Sequence, residues 1–127
     1  MIPPEKPAAA VTGLLQAEGG AMALAMAFIA WDLGTPWWLA VIVLVAPDLS
    51  FAAYAFGPRA GAGVYNAAHT YLGPAVLAAV GLLAGSMTTA TVGALWALHI
   101  GADRALGFGL KYTSGFGVTH LGRIGRR

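Results

Sequence analysis

The side chains able to do chemistry here are Glu18, Asp48, His69, His99, Asp103 and His120, acids and imidazoles set in or beside long apolar runs. Ionisable groups inside apolar helices are costly, and each marks a functional site by default. His99 and Asp103 are four residues apart and share a helix face, as do Tyr65 and His69, with Asn66 three residues before His69. Imidazoles surrounded by carboxylates are what zinc or a similar divalent ion requires in a chain without cysteine. Asp48, His69, His99 and Asp103 are therefore expected to supply metal ligands, with His120 folding back from the tail as a further one. Glu18 is expected to serve as general base or second-layer acceptor. The competing reading is a hydrogen-bond network that fixes register between facing helices. No His-Glu-x-x-His motif accompanies these residues.

Helices must bring them together. Of 127 residues, 58% are hydrophobic and 9% charged, against roughly 25% charged in a soluble domain. This composition predicts an all-α integral membrane protein. Four segments approach the roughly 20 apolar residues that a span needs: residues 9–30, 37–56, 61–84 and 87–106. Their short links predict an antiparallel bundle of four transmembrane helices, preceded by a proline-rich arm (1–8) and followed by a glycine-rich basic tail (107–127). At the helical rise, Glu18, Asp48, His69 and His99 each lie roughly 10–13 Å from the cytoplasmic end of their span. Each helix thus carries one ionisable group to a common level.

All seven basic residues, Lys6, Arg59, Arg104, Lys111, Arg123, Arg126 and Arg127, fall on one side of this arrangement. The positive-inside rule then places both termini in the cytoplasm of a multi-pass inner-membrane protein. The net charge of +2 reads as a topology signal beside a lipid bilayer, with no nucleic-acid partner implied. Arg104 and Lys111 are expected to contact headgroups. A homo-oligomer or a larger membrane complex is a further possible assembly. Pro47 and Pro74 are expected to leave the carbonyls of Val43 and Thr70 without their usual helical donors, Pro74 as a kink within the third span.

PDLS at 47–50, GPR at 57–59, YNAAHTY at 65–71 and HIGADRALGFGLKY followed by THLG within 99–122 carry a resemblance. They resemble the family of small bacterial membrane proteins known as domain of unknown function 4260, over roughly residues 14–122. The resemblance implies the span architecture and brings no activity with it. From the residues themselves, the expected function is metal-dependent hydrolysis of a lipid-like substrate entering from the cytoplasmic leaflet. The alternative is a non-catalytic accessory subunit of a larger complex, or a small transport or proton-handling protein.

Overall fold

The computed structural model describes residues 8–124, and they are mostly helical. Helix α1 (Ala9–Asp32) is followed by α2 (Trp37–Val45), which runs directly into a 3₁₀ helix (Ala46–Phe56). Helices α3 (Pro58–Ala68), α4 (Leu72–Leu83) and α5 (Met87–Ala105) follow, and the chain ends in two short strands, β1 (Val118–Thr119) and β2 (Gly122–Arg123). Helix α5 is the axis: α1, α2 and α4 all pack on it, while α3 packs on the 3₁₀ helix.

Glycine permits the closest crossings. A Cβ at Gly101 of α5 would stand 2.5 Å from the Gly19 carbonyl oxygen of α1, and one at Gly93 would stand 2.8 Å from the Ala78 nitrogen of α4. Backbone meets backbone at both places, the close approach that small residues at a helix interface allow. The outside is apolar: Leu24, Phe28, Trp31, Phe56 and Leu83 are each more than two-thirds exposed. Two helical stretches, Ala9–Asp32 and Trp37–Phe56, are long and apolar enough to cross a membrane.

The third apolar segment, expected as one helix over 61–84, is instead two. Helix α3 stops at Ala68, the chain turns through residues 69–71, and α4 begins at Leu72. Pro74 therefore kinks nothing. It lies in the first turn of α4, where backbone N–H groups have no intrahelical partner and a missing donor costs little. The carbonyls at the end of α3 find other donors: Tyr65 O takes His69 Nδ1 at 2.8 Å, Ala68 O takes Trp96 Nε1 at 2.7 Å, and His69 O takes Arg104 Nη2 at 3.0 Å. Side chains of α5 thus help to satisfy a break that apolar surroundings would otherwise penalise.

Pro47 acts three residues back rather than four. It opens the 3₁₀ helix, in which each N–H bonds the carbonyl three residues earlier. The carbonyl three residues before its hydrogen-free nitrogen belongs to Leu44, and that oxygen accepts from His99 Nδ1.

The tail folds back over this end of the bundle. Asn66 on α3 behaves as a strand partner, its Nδ2 donating to Lys111 O and its Oδ1 accepting from Lys111 N, both at 2.7 Å. Strand β1 pairs antiparallel with β2, and Lys111 bridges to Thr119. Phe116 packs its ring 5.5 Å from Phe51 and 5.2 Å from Tyr54 of the 3₁₀ helix.

Candidate metal centre

Three elements converge on one point. Asp48 comes from the first turn of the 3₁₀ helix, His69 from the residue that terminates α3, and His99 and Asp103 from successive turns of α5. One ligand atom from each lies within 4.8 Å of all the others. His69 Nε2 is 3.3 Å from Asp48 Oδ1 and 3.5 Å from Asp103 Oδ2. His99 Nε2 is 3.2 Å from each of the same two oxygens, and the two Nε2 atoms are 3.2 Å apart.

The protons can be assigned from the other side of each ring. His69 Nδ1 faces the Tyr65 carbonyl and His99 Nδ1 faces the Leu44 carbonyl. A carbonyl oxygen only accepts, so both Nδ1 atoms carry hydrogen. In the neutral imidazoles, both Nε2 atoms then present lone pairs, and they present them to each other and to two carboxylate oxygens. Four acceptors at hydrogen-bond distance repel one another unless positive charge lies between them.

A divalent ion fits that place. His69 Nε2, His99 Nε2 and Asp103 Oδ2 stand 3.2–3.5 Å from one another, the edge lengths of a tetrahedral face whose corners lie about 2.0 Å from a central ion, the length of zinc bonds to imidazole nitrogen and carboxylate oxygen. Backbone carbonyls that hold Nδ1–H are also the usual second layer around ligating histidines, fixing both tautomer and ring orientation. His69 and His99 are 3% and 8% exposed, whereas the Asp48 side chain is 48% exposed, so the centre is buried on the imidazole side and open beside Asp48.

A second layer backs His69. The Tyr65 ring stacks on its imidazole, with centroids 3.8 Å apart and planes 11° from parallel. Lys111 Nζ sits 4.8 Å from the Tyr65 centroid and 3.7 Å from that of Phe116, and donates to Phe116 O at 2.8 Å. At 4% exposed, Lys111 is enclosed by aromatic rings and does not reach the headgroup surface expected of it. Burial holds its pKa below the ordinary lysine range, opposed by the charge of Asp103. Arg104 likewise turns inward, to the His69 carbonyl and to the face of Tyr71, 5.4 Å from that ring's centroid.

Two expected residues are not brought to the centre. Glu18 is exposed on α1 and stands outside the four-residue group, on the side of Tyr71. His120 is engaged in the tail: its Nδ1 accepts from Leu110 N at 2.9 Å. Burial, and after it the charge of Arg104, holds the His120 pKa below the ordinary range, so it is neutral near pH 7 with its proton on Nε2. The tail-fastening role of Asn66 and the caging of Lys111 were not visible in the sequence. The nearest signal was the YNAAH spacing, which puts Tyr65, Asn66 and His69 on one side of a helix.

A family model described as a domain of unknown function, DUF4260, matches residues 12–124. The chain belongs to this family. All four converging residues lie inside the matched stretch of DUF4260. No curated protein matches the chain, and no solved structure does. The chemistry of this DUF4260 member is therefore read from its own geometry.

Proposed function

We propose that this DUF4260 protein is a four-span membrane protein with both termini cytoplasmic, which binds one divalent ion of the zinc type and hydrolyses a lipid-like substrate. The observation that carries the metal reading is a set of three acceptor atoms spaced as one face of a zinc tetrahedron, the Nε2 lone pairs of His69 and His99 fixed by backbone carbonyls and Asp103 Oδ2, with Asp48 Oδ1 beside them. Membrane insertion is supported by the apolar exterior and by the placing of all seven basic residues on one side of the chain's four apolar segments. In this reading α3 and α4 are the halves of one broken span, and the break is tolerated because it is buried against α5.

An ion at this centre supplies Lewis acidity and a water made acidic enough to attack at neutral pH. His69, His99 and Asp103 would hold the ion and leave its fourth position to water. The half-exposed Asp48 would take the base role that the sequence assigned to Glu18, its carboxylate receiving a proton from the attacking water. The water oxygen forms a bond to the substrate's carbonyl carbon as the bond to the leaving alcohol breaks. Asp48 returns the proton to that alcohol, and the new acid keeps the other hydrogen until bulk water takes it. His69 and His99 hold their tautomers throughout.

Metal analysis of protein purified without chelator tests this directly. One equivalent of divalent metal per chain is expected, lost in His69→Ala and His99→Ala. Wild-type protein that is folded and metal-free overturns the reading. A second reading, passage of an ion across the membrane, is favoured by the helix break at His69, because broken spans form the ion sites of many transporters. Zinc uptake into proteoliposomes by the wild type and not by His99→Ala would select it over hydrolysis.

A further inference from the structure

The metal-bearing face of α5 does not begin at His99. Val92, Trp96, His99 and Asp103 follow one another at spacings of four, three and four, a single stripe on one side of the helix. Its first half lines an apolar trench of about 350 Å³ between α2, α4 and α5, with Val43, Pro47, Ala68 and Leu77 on the other walls. Pro47 and Ala68 are the residues immediately before Asp48 and His69. The trench therefore abuts the backbone that carries two of the four converging residues. The larger apolar groove, between α1, α4 and α5, is lined by no residue adjoining a ligand.

What the trench can hold is limited by its walls. The Trp96 indole N–H is already committed to Ala68 O, and the remaining lining side chains are aliphatic. An occupant can have no polar atom until it reaches the metal centre. There the requirement reverses. Asp48 and Asp103 cancel a divalent ion, while Arg104, bonded to the His69 carbonyl, and Lys111, stacked on Tyr65, leave positive charge around it. In buried surroundings, with Coulomb terms little screened, such a centre takes anionic oxygen.

We propose that the trench seats a single fatty-acyl chain, with the oxygens of its carboxyl end at the Asp48, His69, His99 and Asp103 centre. The substrate is then an acyl ester drawn from the bilayer, and the fatty acid is its product. This rests on the metal reading, and the two fail separately in the following experiment.

Trp31, Trp37 and Trp38 are exposed, so their replacement by Phe leaves Trp96 as the reporter inside the trench. Dibrominated palmitate, which quenches indole on contact, is titrated into this zinc-loaded protein in detergent. Quenching that saturates, is displaced by palmitate and not by hexadecane, and weakens at least tenfold in Leu77→Phe supports the proposal. Zinc content is measured on the same samples and should be unchanged in Leu77→Phe. Stripping zinc should weaken palmitate at least tenfold. Quenching that does not saturate, or that hexadecane reverses equally, overturns the trench assignment even if zinc is present. Folded wild type that takes up no zinc removes the metal reading, and zinc-stripped protein that binds palmitate as tightly as the loaded protein removes the centre's part in holding the carboxyl end.

Discussion

Asp103→Asn separates a metal centre from a hydrogen-bond network by the sign of its effect. The substitution keeps the shape of the side chain, removes its charge and provides an N–H donor facing Nε2 atoms at 3.2 and 3.5 Å. Changing second-layer partners of metal sites weakens binding by about 10–100-fold. Losing a direct ligand should therefore raise the zinc dissociation constant by about 100-fold or more, a loss of about 2.7 kcal/mol. For a chain of this size that is a fall of about 10 °C in Tm at saturating zinc. Without metal the sign reverses. The wild-type cluster then opposes four acceptors, and the amide relieves this with a hydrogen bond of about 1 kcal/mol. Thermal unfolding in detergent, with buffered zinc and with chelator, reads both arms, and chelator competition gives the affinity. A variant as stable as wild type in zinc, with an unchanged zinc constant, refutes the reasoning.

Asn66→Ala removes two 2.7 Å hydrogen bonds to the Lys111 backbone, so amide exchange at Lys111 should accelerate by the equivalent of about 1–3 kcal/mol while the helical circular dichroism stays constant. Tyr65→Leu, which removes the ring stacked on His69, should weaken zinc about tenfold, and Tyr65→Phe should restore it, as measured by chelator competition. His120 gives a pH dependence. Its folded pKa lies below the ordinary histidine value of 6.5, first through burial and then through Arg104, so the detached tail takes the proton more readily. The stability that neutral His120 contributes is complete above pH 6.5 and is lost as pH falls through its folded value. Protection of the Leu110 amide, bonded to His120 Nδ1, should decline as pH falls below about 6.5 once intrinsic exchange is corrected.

The four converging residues were legible because depth along a helix follows from counting residues at a fixed rise. Counting gives height and says nothing of azimuth, and Glu18 shows the difference: its level matches the others, yet it is exposed on α1, outside their group. Asp48 and His69 face the centre for a reason that hydropathy does not encode. One sits on a 3₁₀ helix and the other where α3 ends, and both features depend on partners far along the chain, Leu44 with His99 and His69 with Arg104. Lys111 was misplaced for a related reason. A basic residue in a glycine-rich tail reads as solvated until Asn66, 45 positions earlier, draws its backbone into a bridge beneath Phe116.

The position of α5 also sets an order of events during synthesis. The helix on which α1, α2 and α4 pack is the last of the five to leave the ribosome, and it carries two of the four converging residues. Until it arrives, Asp48 and His69 have neither His99 nor Asp103 to face, and Gly19 has no partner for its close crossing. Nascent chains halted before Met87 should therefore remain loosely associated apolar helices, and the four-residue group should close only as the final helix packs.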